Sequence, residues 1–432
     1  MPRGEAIRDP IHGYVPISAL ERRGLDSVEV QRLRRISQLG LTELVYPGAR
    51  HSRFEHAVGA LAVVTRLFEE LRGRLGLDAW LPAVGRAGTE AEFAHLVAVA
   101  RWTALLHDLG HAPFSHVTES LLAPGEQHED RTLRLVEEGA VGAVLADGGA
   151  QLRDDVRTCL DLSRTPGDPA LRLVREAIAG PLGADRMDYL LRDSRATGVS
   201  YGLFDLDRVL HTIVPVADLE RGGVRLGIDR GGVSAAEGML WARASMFGQV
   251  YQHRTRRILD RHLLDFLGAV LPGGRYPTET EDYLQWDDPR IWEALRVADS
   301  DPSAPGHRDA RRILRRGHHR ALDRQIDGAD PTAVLRELER WSSIAIEIDP
   351  AFDPRSDLVE LRSDPSRSGD IPVVDGGGDR FGGGRVRPLR EHSDLSERLQ
   401  PRCFGRLYVA LSMRGRGGEI IERAESGSEP RS

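Results

Sequence analysis

Apolar residues recur at three- and four-residue intervals through most of the first 270 positions. Between Asp26 and Leu39, Val30, Leu33, Ile36 and Leu39 fall every third residue, with Asp26 or Ser27 placed to cap and Gly40 to stop, which predicts a helix. From Phe54 to Leu71 the same pattern runs through Val58, Leu61, Val64, Phe68 and Leu71, so His56 falls in a first helical turn. The stretch from Phe93 to Leu106 is apolar almost all round, which predicts a buried central helix delivering His107 and Asp108 at its end. Helical patterns continue over 171–193 and 235–270, where Met239, Met246, Val250 and Ile258 mark apolar faces.

Past that point the pattern changes. Residues 271–330 are rich in proline, aspartate and arginine, with a basic helix-like piece at 311–316. Ser343 to Ile348 and Leu407 to Leu411 alternate or cluster like short strands, and the glycine triplets at 376–378 and 382–384 read as a flexible loop. The expected fold is mainly α, with a helical catalytic region over 1–270, a smaller mixed α/β lobe over 271–420 and a disordered tail over 421–432.

Composition narrows the function. A net charge of −7 argues against nucleic acid as a partner for the whole surface, since that binding rests on a basic excess. All 59 cationic residues are arginine, so any phosphate clamp is built from arginine or histidine. Cys159 and Cys403 lie far apart and suggest neither a disulfide framework nor a thiolate zinc site. The start lacks a signal-type apolar segment and no run is long enough to cross a membrane, so a cytoplasmic location is the expectation.

Chemistry concentrates in His107-Asp108-Leu109-Gly110-His111-Ala112-Pro113-Phe114-Ser115-His116. Burying so many polar groups in an apolar setting is costly unless a ligand uses them. Adjacent His107 and Asp108 meet one cation only where a helix end lets both side chains converge, and His56 and Asp185 supply two more ligands from other helices. Such a site activates water for attack on phosphorus. Arg53, His111, His116 and Arg186 stand beside these ligands to offset phosphate charge, and His128, oriented or tuned by Glu129 or another carboxylate, is the candidate proton donor. The ligand types suit manganese, iron, magnesium or zinc.

Together with Asp9-Pro10-Ile11-His12-Gly13, Gln31-Arg32-Leu33-Arg34, Gln38-Leu39-Gly40, Pro47 through His56, Asp185-Arg186-Met187-Asp188-Tyr189 with Arg192-Asp193, and Tyr251-Gln252-His253-Arg254, these residues resemble the HD-domain deoxynucleoside triphosphate triphosphohydrolases, the branch of the sterile-alpha-motif and HD-domain protein and bacterial dNTPases. The resemblance covers roughly residues 5–265 and implies an HD-domain helical bundle. It implies that His56, His107, Asp108 and Asp185 bind the metal, that Asp108, His128 and Glu129 are catalytic, and that Arg53, His111, His116 and Arg186 hold a triphosphate. Gln38 and Asp193 would then bind the sugar 3′-hydroxyl, Tyr189 and Tyr251 would pack on the sugar, and Leu39 and Gln252 would lie near the base. Asp26, Gln31 and Arg34 match positions that read a nucleotide effector in homo-oligomers, tetrameric or larger. The products would be a deoxynucleoside and inorganic triphosphate. The alternatives are an HD phosphohydrolase acting on another nucleotide or on single-stranded nucleic-acid ends, or a nucleotide sensor with vestigial catalysis.

Overall fold

The computed structural model describes residues 5–217, 224–322, 326–328, 331–348, 359–362, 371–375, 385–395, 403–410 and 415–426. It is mainly helical with small sheets, as the patterning predicts. The glycine triplets at 376–384 lie outside the described residues. None of the described helices is long and apolar enough to cross a membrane.

The chain forms two compact units with interleaved segments: 1–250, 276–290 and 368–399 in the first, and 251–275, 291–367 and 400–432 in the second. Residues 271–420 therefore contribute to both.

In the first unit the long helix Arg53–Leu75 packs against Glu90–Leu106 and Ala184–Thr197. Leu61, Val64 and Phe68 are fully buried on the first helix, facing a second helix whose Val99, Leu105 and Leu106 are equally buried. At 25–30 cal/mol per Å² of apolar surface, each such side chain contributes about 1.5–3 kcal/mol of burial free energy. A hairpin, Glu5–Asp9 with Gly13–Ile17, precedes the helices. A four-stranded sheet, in the order Ile213–Ala217, Val224–Asp229, Pro372–Asp375 and Arg385–Pro388, completes the unit, its middle pair parallel.

The second unit sets helices Arg254–Val270, His307–Leu314, Pro331–Ile348 and Gly417–Glu425 with strand Cys403–Val409, whose partners are Arg320–Ala321, Ile326–Gly328 and Val359–Arg362. Leu322, Trp341, Ile344, Leu407, Val409 and Ile420 share its core.

Three local expectations are corrected. Ser343–Ile348 is the end of the helix Pro331–Ile348. Its isoleucines alternate, but Val334, Leu338, Trp341 and Ala345 repeat at helical spacing and are buried together with Ile344. The helix expected over 26–39 stops early: Val28–Arg32 passes into a 3-10 turn at Leu33–Arg35, because Ser37 pairs with Ser52 and the Gln38 N–H bonds the His51 carbonyl at 3.0 Å. Tertiary bonds here outweigh local propensity. Order also extends into the tail, through a helix at Gly417–Glu425 that buries Ile420 and Ala424. Leu407 to Val409 do lie in a strand.

Gly110 has no room for a side chain: a Cβ there would stand 2.1 Å from the His128 carbonyl oxygen and 2.4 Å from the Thr132 nitrogen. Gly110→Ala is expected to cost roughly 1–3 kcal/mol through forced backbone movement. Gly238→Ala, in a helix with open space around it, should be neutral or stabilising by about 1 kcal/mol. Chemical denaturation of the two variants checks the contrast.

Candidate active site and cation centre

Three helix ends converge. Ser52 and Glu55 form a capping box that starts the helix Arg53–Leu75, placing Arg53 at its first position and His56 one turn in. His107 ends Glu90–Leu106, Asp108 follows in the turn, and Asp185 sits in the first turn of Ala184–Thr197. The four expected metal ligands are thereby brought together. His56 Nε2 lies 3.1 Å from Asp185 Oδ1 and 3.5 Å from Asp108 Oδ2, while His107 Nε2 lies 3.4 Å from Asp108 Oδ1 and 3.7 Å from Asp185 Oδ1.

Both imidazoles turn the same kind of atom inward. The Nδ1 of His107 bonds the Ala104 carbonyl at 2.7 Å, an oxygen that only accepts, so Nδ1 carries a proton and Nε2 is the atom left for a cation or a second proton. His56 Nδ1 bonds Asp188 Oδ2 at 2.8 Å to the same effect. The two Nε2 atoms are buried and have no hydrogen-bond partner among the described residues. Ligand atoms of His56, His107 and Asp108 fall within 4.8 Å of one another. Inward lone pairs with carboxylates between them fit a divalent cation.

The electrostatics agree. Burial disfavours a charged His56, but Asp185 and Asp188 beside it outweigh that and raise its pKa to about 10. His107 is raised for the same reason by Asp108 and Asp185. Burial likewise opposes ionisation of Asp108, yet Arg53, His107 and His111 hold it well below the usual carboxylate range. A cation and these protons compete for one set of atoms.

Beside the quartet lies a wall of donors. Arg53 bonds Asp108 Oδ2 at 2.5 Å through one terminal nitrogen and Ser115 Oγ at 2.8 Å through Nε. His111 Nε2 stands 3.2 Å from Asp108 Oδ1, and its ring stacks on His128 with centroids 3.8 Å apart. His116 meets His111 edge-on at 4.5 Å. Burial, then Arg53 and His128, push the pKa of His111 well below the usual imidazole range, so it is a neutral ring, and neither of its buried nitrogens has a hydrogen-bond partner among the described residues. Arg186 follows Asp185 on the same helix, half-buried.

Two acids stand beside His128, and the one that bonds its ring is Glu119, not the Glu129 that the resemblance implies. Glu119 Oε1 receives both its Nδ1, at 2.5 Å, and its backbone N–H, at 3.0 Å, whereas Glu129 Oε2 is 3.2 Å away. Glu119 Oε2 also reaches His116 Nδ1 at 3.1 Å. Although burial opposes it, these histidine contacts keep Glu119 well below the ordinary carboxylate range. Its spacing of three residues after His116 was the available signal.

Gln38 is buried and its Oε1 has no hydrogen-bond partner among the described residues. Asp193, buried, accepts from His51 Nε2 at 2.7 Å, and the His51 carbonyl binds the Gln38 N–H. His51, whose place in the sequence signals no role, thus links the two expected sugar contacts. Leu39 is buried beside them and Tyr189 is half-buried on its helix. Tyr251 and Gln252 belong to the second unit, where their carbonyls accept from Arg256 and Arg406.

Asp26, Gln31 and Arg34 lie at or near the surface: Arg34 Nε bonds Gln31 Oε1 at 3.0 Å and stacks on Phe54, and Asp26 accepts from Arg22.

No sequence signal marked Asp288. Its two oxygens accept the Ser37 and Phe114 N–H groups, each at 2.8 Å, and burial, only partly offset by these bonds, pushes its pKa up to about 6. In the second unit His262, Asp265 and Asp309 also cluster, but both carboxylates are paired with Arg261 and Arg312.

A family model described as an HD associated region matches residues 204–400. An uncharacterized protein of Methanocaldococcus jannaschii is 35% identical over 296 residues, 68% of this chain and 56% of that protein. The deoxynucleoside triphosphate triphosphohydrolase SAMHD1 of Homo sapiens is 26% identical over 386 residues, 80% of this chain and 58% of the relative. The chain thus spans little more than half the length of these curated relatives. The crystal structure of a hypothetical protein from Aquifex aeolicus superposes with a TM-score of 0.75 at 30% identity, covering 96% of this chain and 99% of that one.

The raised His56 fixes the sign of two pH effects. Protonated His56 stabilises the metal-free fold; that contribution is whole below the unfolded value of 6.5 and is lost as pH rises through about 10. Metal-free protein should therefore have a lower thermal midpoint at pH 9.5 than at pH 6.5. Affinity for Mn2+, followed by calorimetric titration, should rise over the same interval as protons leave the ligands. Binding independent of pH would contradict the competition.

Proposed function

We propose, from the premise that this chain belongs to the HD-domain phosphohydrolase family, that its substrates are deoxynucleoside triphosphates, cut to deoxynucleoside and inorganic triphosphate. Family members are metal-dependent hydrolases, and the quartet His56, His107, Asp108 and Asp185 would hold the divalent ion, manganese, iron, magnesium and zinc all matching its donor set. When bound, the ion supplies Lewis-acid activation of water and of a phosphoryl oxygen.

The observation that carries the reading is the stack of His128 on His111. In that stack the His128 ring, with its Nδ1 on Glu119, lies one ring away from the Asp108 edge of the quartet. With Nδ1 committed to Glu119, Nε2 is the atom of His128 that hands a proton to the departing 5′ oxygen. Arg53, His111, His116 and Arg186 supply hydrogen bonds and positive charge to the triphosphate, the arginines through planar forks that match phosphate oxygens. The buried Gln38 Oε1, which has no partner among the described residues, and the His51–Asp193 pair suit a sugar hydroxyl, with Leu39 and Tyr189 beside sugar and base. Likeness to the human triphosphohydrolase over four-fifths of the chain supports the same substrate class. Asp26, Gln31 and Arg34 would read a nucleotide effector in a homo-oligomer, a tetramer or larger.

Incubating Mn2+-loaded protein with each dNTP and NTP, singly and mixed, and separating the products tests this. Deoxynucleoside plus triphosphate is expected. Monophosphate or diphosphate products, or equal turnover of ribonucleotides, would overturn the substrate assignment, and equal turnover of single and mixed dNTPs would overturn effector control. His128→Ala and Glu119→Gln should lower kcat by roughly 10²- to 10⁴-fold through loss of the proton donor or its fixed orientation, with Mn2+ binding retained.

A further inference from the structure

The Asp9-Pro10-Ile11-His12-Gly13 motif takes no part in the chemistry above, yet it ends against the cation centre. The hairpin closes at Asp9 and Gly13, with Gly13 in the left-handed region at φ 78°. Asp9 Oδ1 accepts the N–H groups of Ile11 and His12, both at 2.8 Å, which folds the turn so that the His12 ring points inward with its side chain 1% exposed. There His12 Nε2 bonds Asp188 Oδ1 at 2.7 Å. The other oxygen of Asp188 holds Nδ1 of His56, whose Nε2 faces the quartet.

Arg192 closes the frame, reaching both oxygens of Asp188 and Oδ2 of Asp9, each at 2.8 Å. Asp188 therefore accepts four hydrogen bonds on two oxygens and has no freedom to turn. The frame also sets the sequence beneath it. A Cβ at Gly59 would fall 1.9 Å from Asp188 Oδ1 and 2.2 Å from an Arg192 nitrogen.

A hairpin pinned only for stability is held as well by apolar packing, because a buried ion network rarely exceeds a hydrophobic substitute in stability. Here His, Asp, Arg and Asp are buried together, and the network ends on an imidazole whose lone pair faces a cation site. We infer that His12 is a positioning residue of the cation centre: through Asp188 it fixes the ring orientation and tautomer of His56, so that the amino-terminal hairpin sets the affinity of the centre for its metal. The inference rests on the metal assignment made above.

Outer partners of metal-binding histidines carry roughly 10- to 100-fold in affinity. Calorimetric titration with MnCl2, with no substrate present, reads this directly on the full chain. His12→Leu, which keeps bulk and loses the donor, should weaken Mn2+ binding by about tenfold, the low end of that range for a contact one residue removed. His12→Gln restores an N–H donor and should recover most of the loss, and at saturating Mn2+ the substrate KM of both variants should match the unaltered protein. Leucine-variant affinity equal to that of the unaltered protein would overturn the inference. So would a glutamine variant as weak as the leucine one, since His12 would then act by packing alone. If His12→Leu does not fold, Asp9→Asn is read in its place with the same two outcomes. Failure of the unaltered protein to bind Mn2+ would instead overturn the metal assignment on which the inference stands.

Discussion

His56 has no exposed surface, and each of its ring nitrogens faces a carboxylate. Placing an imidazole and several acids out of contact with water is costly unless each charge finds a partner of fixed geometry. Most of the first unit's polar architecture answers that demand. Arg192 neutralises Asp188 and Asp9, Arg53 neutralises Asp108, and His107 stands between Asp108 and Asp185. What these partners leave over is a pair of inward Nε2 atoms with two carboxylates at the convergence of three helices. The three helices bury aliphatic faces against one another, so the polar cluster is confined to their ends.

The loop that carries His111 and His116 is held from behind by residues distant in sequence. Phe114 and Ser115 both adopt left-handed φ, 59° and 61°, a conformation that costs non-glycine residues of order 1–3 kcal/mol and persists only where surroundings dictate it. Asp288 takes the Phe114 N–H, Ser115 Oγ lies between Arg53 and the Ser37 carbonyl, Tyr283 donates to the Gly110 carbonyl and Arg32 to that of His111. Tyr283 is itself flanked by Arg32 and Arg131, at 4.7 and 4.5 Å from its ring centre. The chain thus returns to the first unit at 276–290 with a segment whose side chains brace the irregular turn that joins the quartet to the histidine stack.

This explains what was legible in the sequence. Helices with strong apolar periodicity, such as Arg53–Leu75 and Glu90–Leu106, were readable because one buried face sets the pattern. The residues the structure gathers around His56 were readable because imidazoles and acids at helix ends have few structural uses in an apolar setting. Asp288 and Tyr283 were not readable, since a buried acid that binds two backbone N–H groups carries no local signature and depends on a return of the chain that only the tertiary fold reveals. Glu119 was missed in favour of Glu129 because adjacency to His128 in sequence competed with adjacency in space. The failures at 26–39 and 343–348 have one origin: short apolar repeats suit more than one backbone, and tertiary hydrogen bonds or core position decide between them.

The absence of lysine, which composition alone ascribes to no function, matters physically at particular positions. Arg192 spans both oxygens of one carboxylate and reaches a second acid; Arg101 does the same for Glu21 while also bonding Thr65 and the Pro16 carbonyl. An ammonium is a point donor on a flexible stem and fixes an acid in position without fixing its plane. At Asp188 the plane is what matters, because one oxygen must meet His12 while the other meets His56. A guanidinium fork therefore does more there than balance charge: it turns a buried carboxylate into a rigid bracket, and the bracket determines which nitrogen of His56 is free to face a cation.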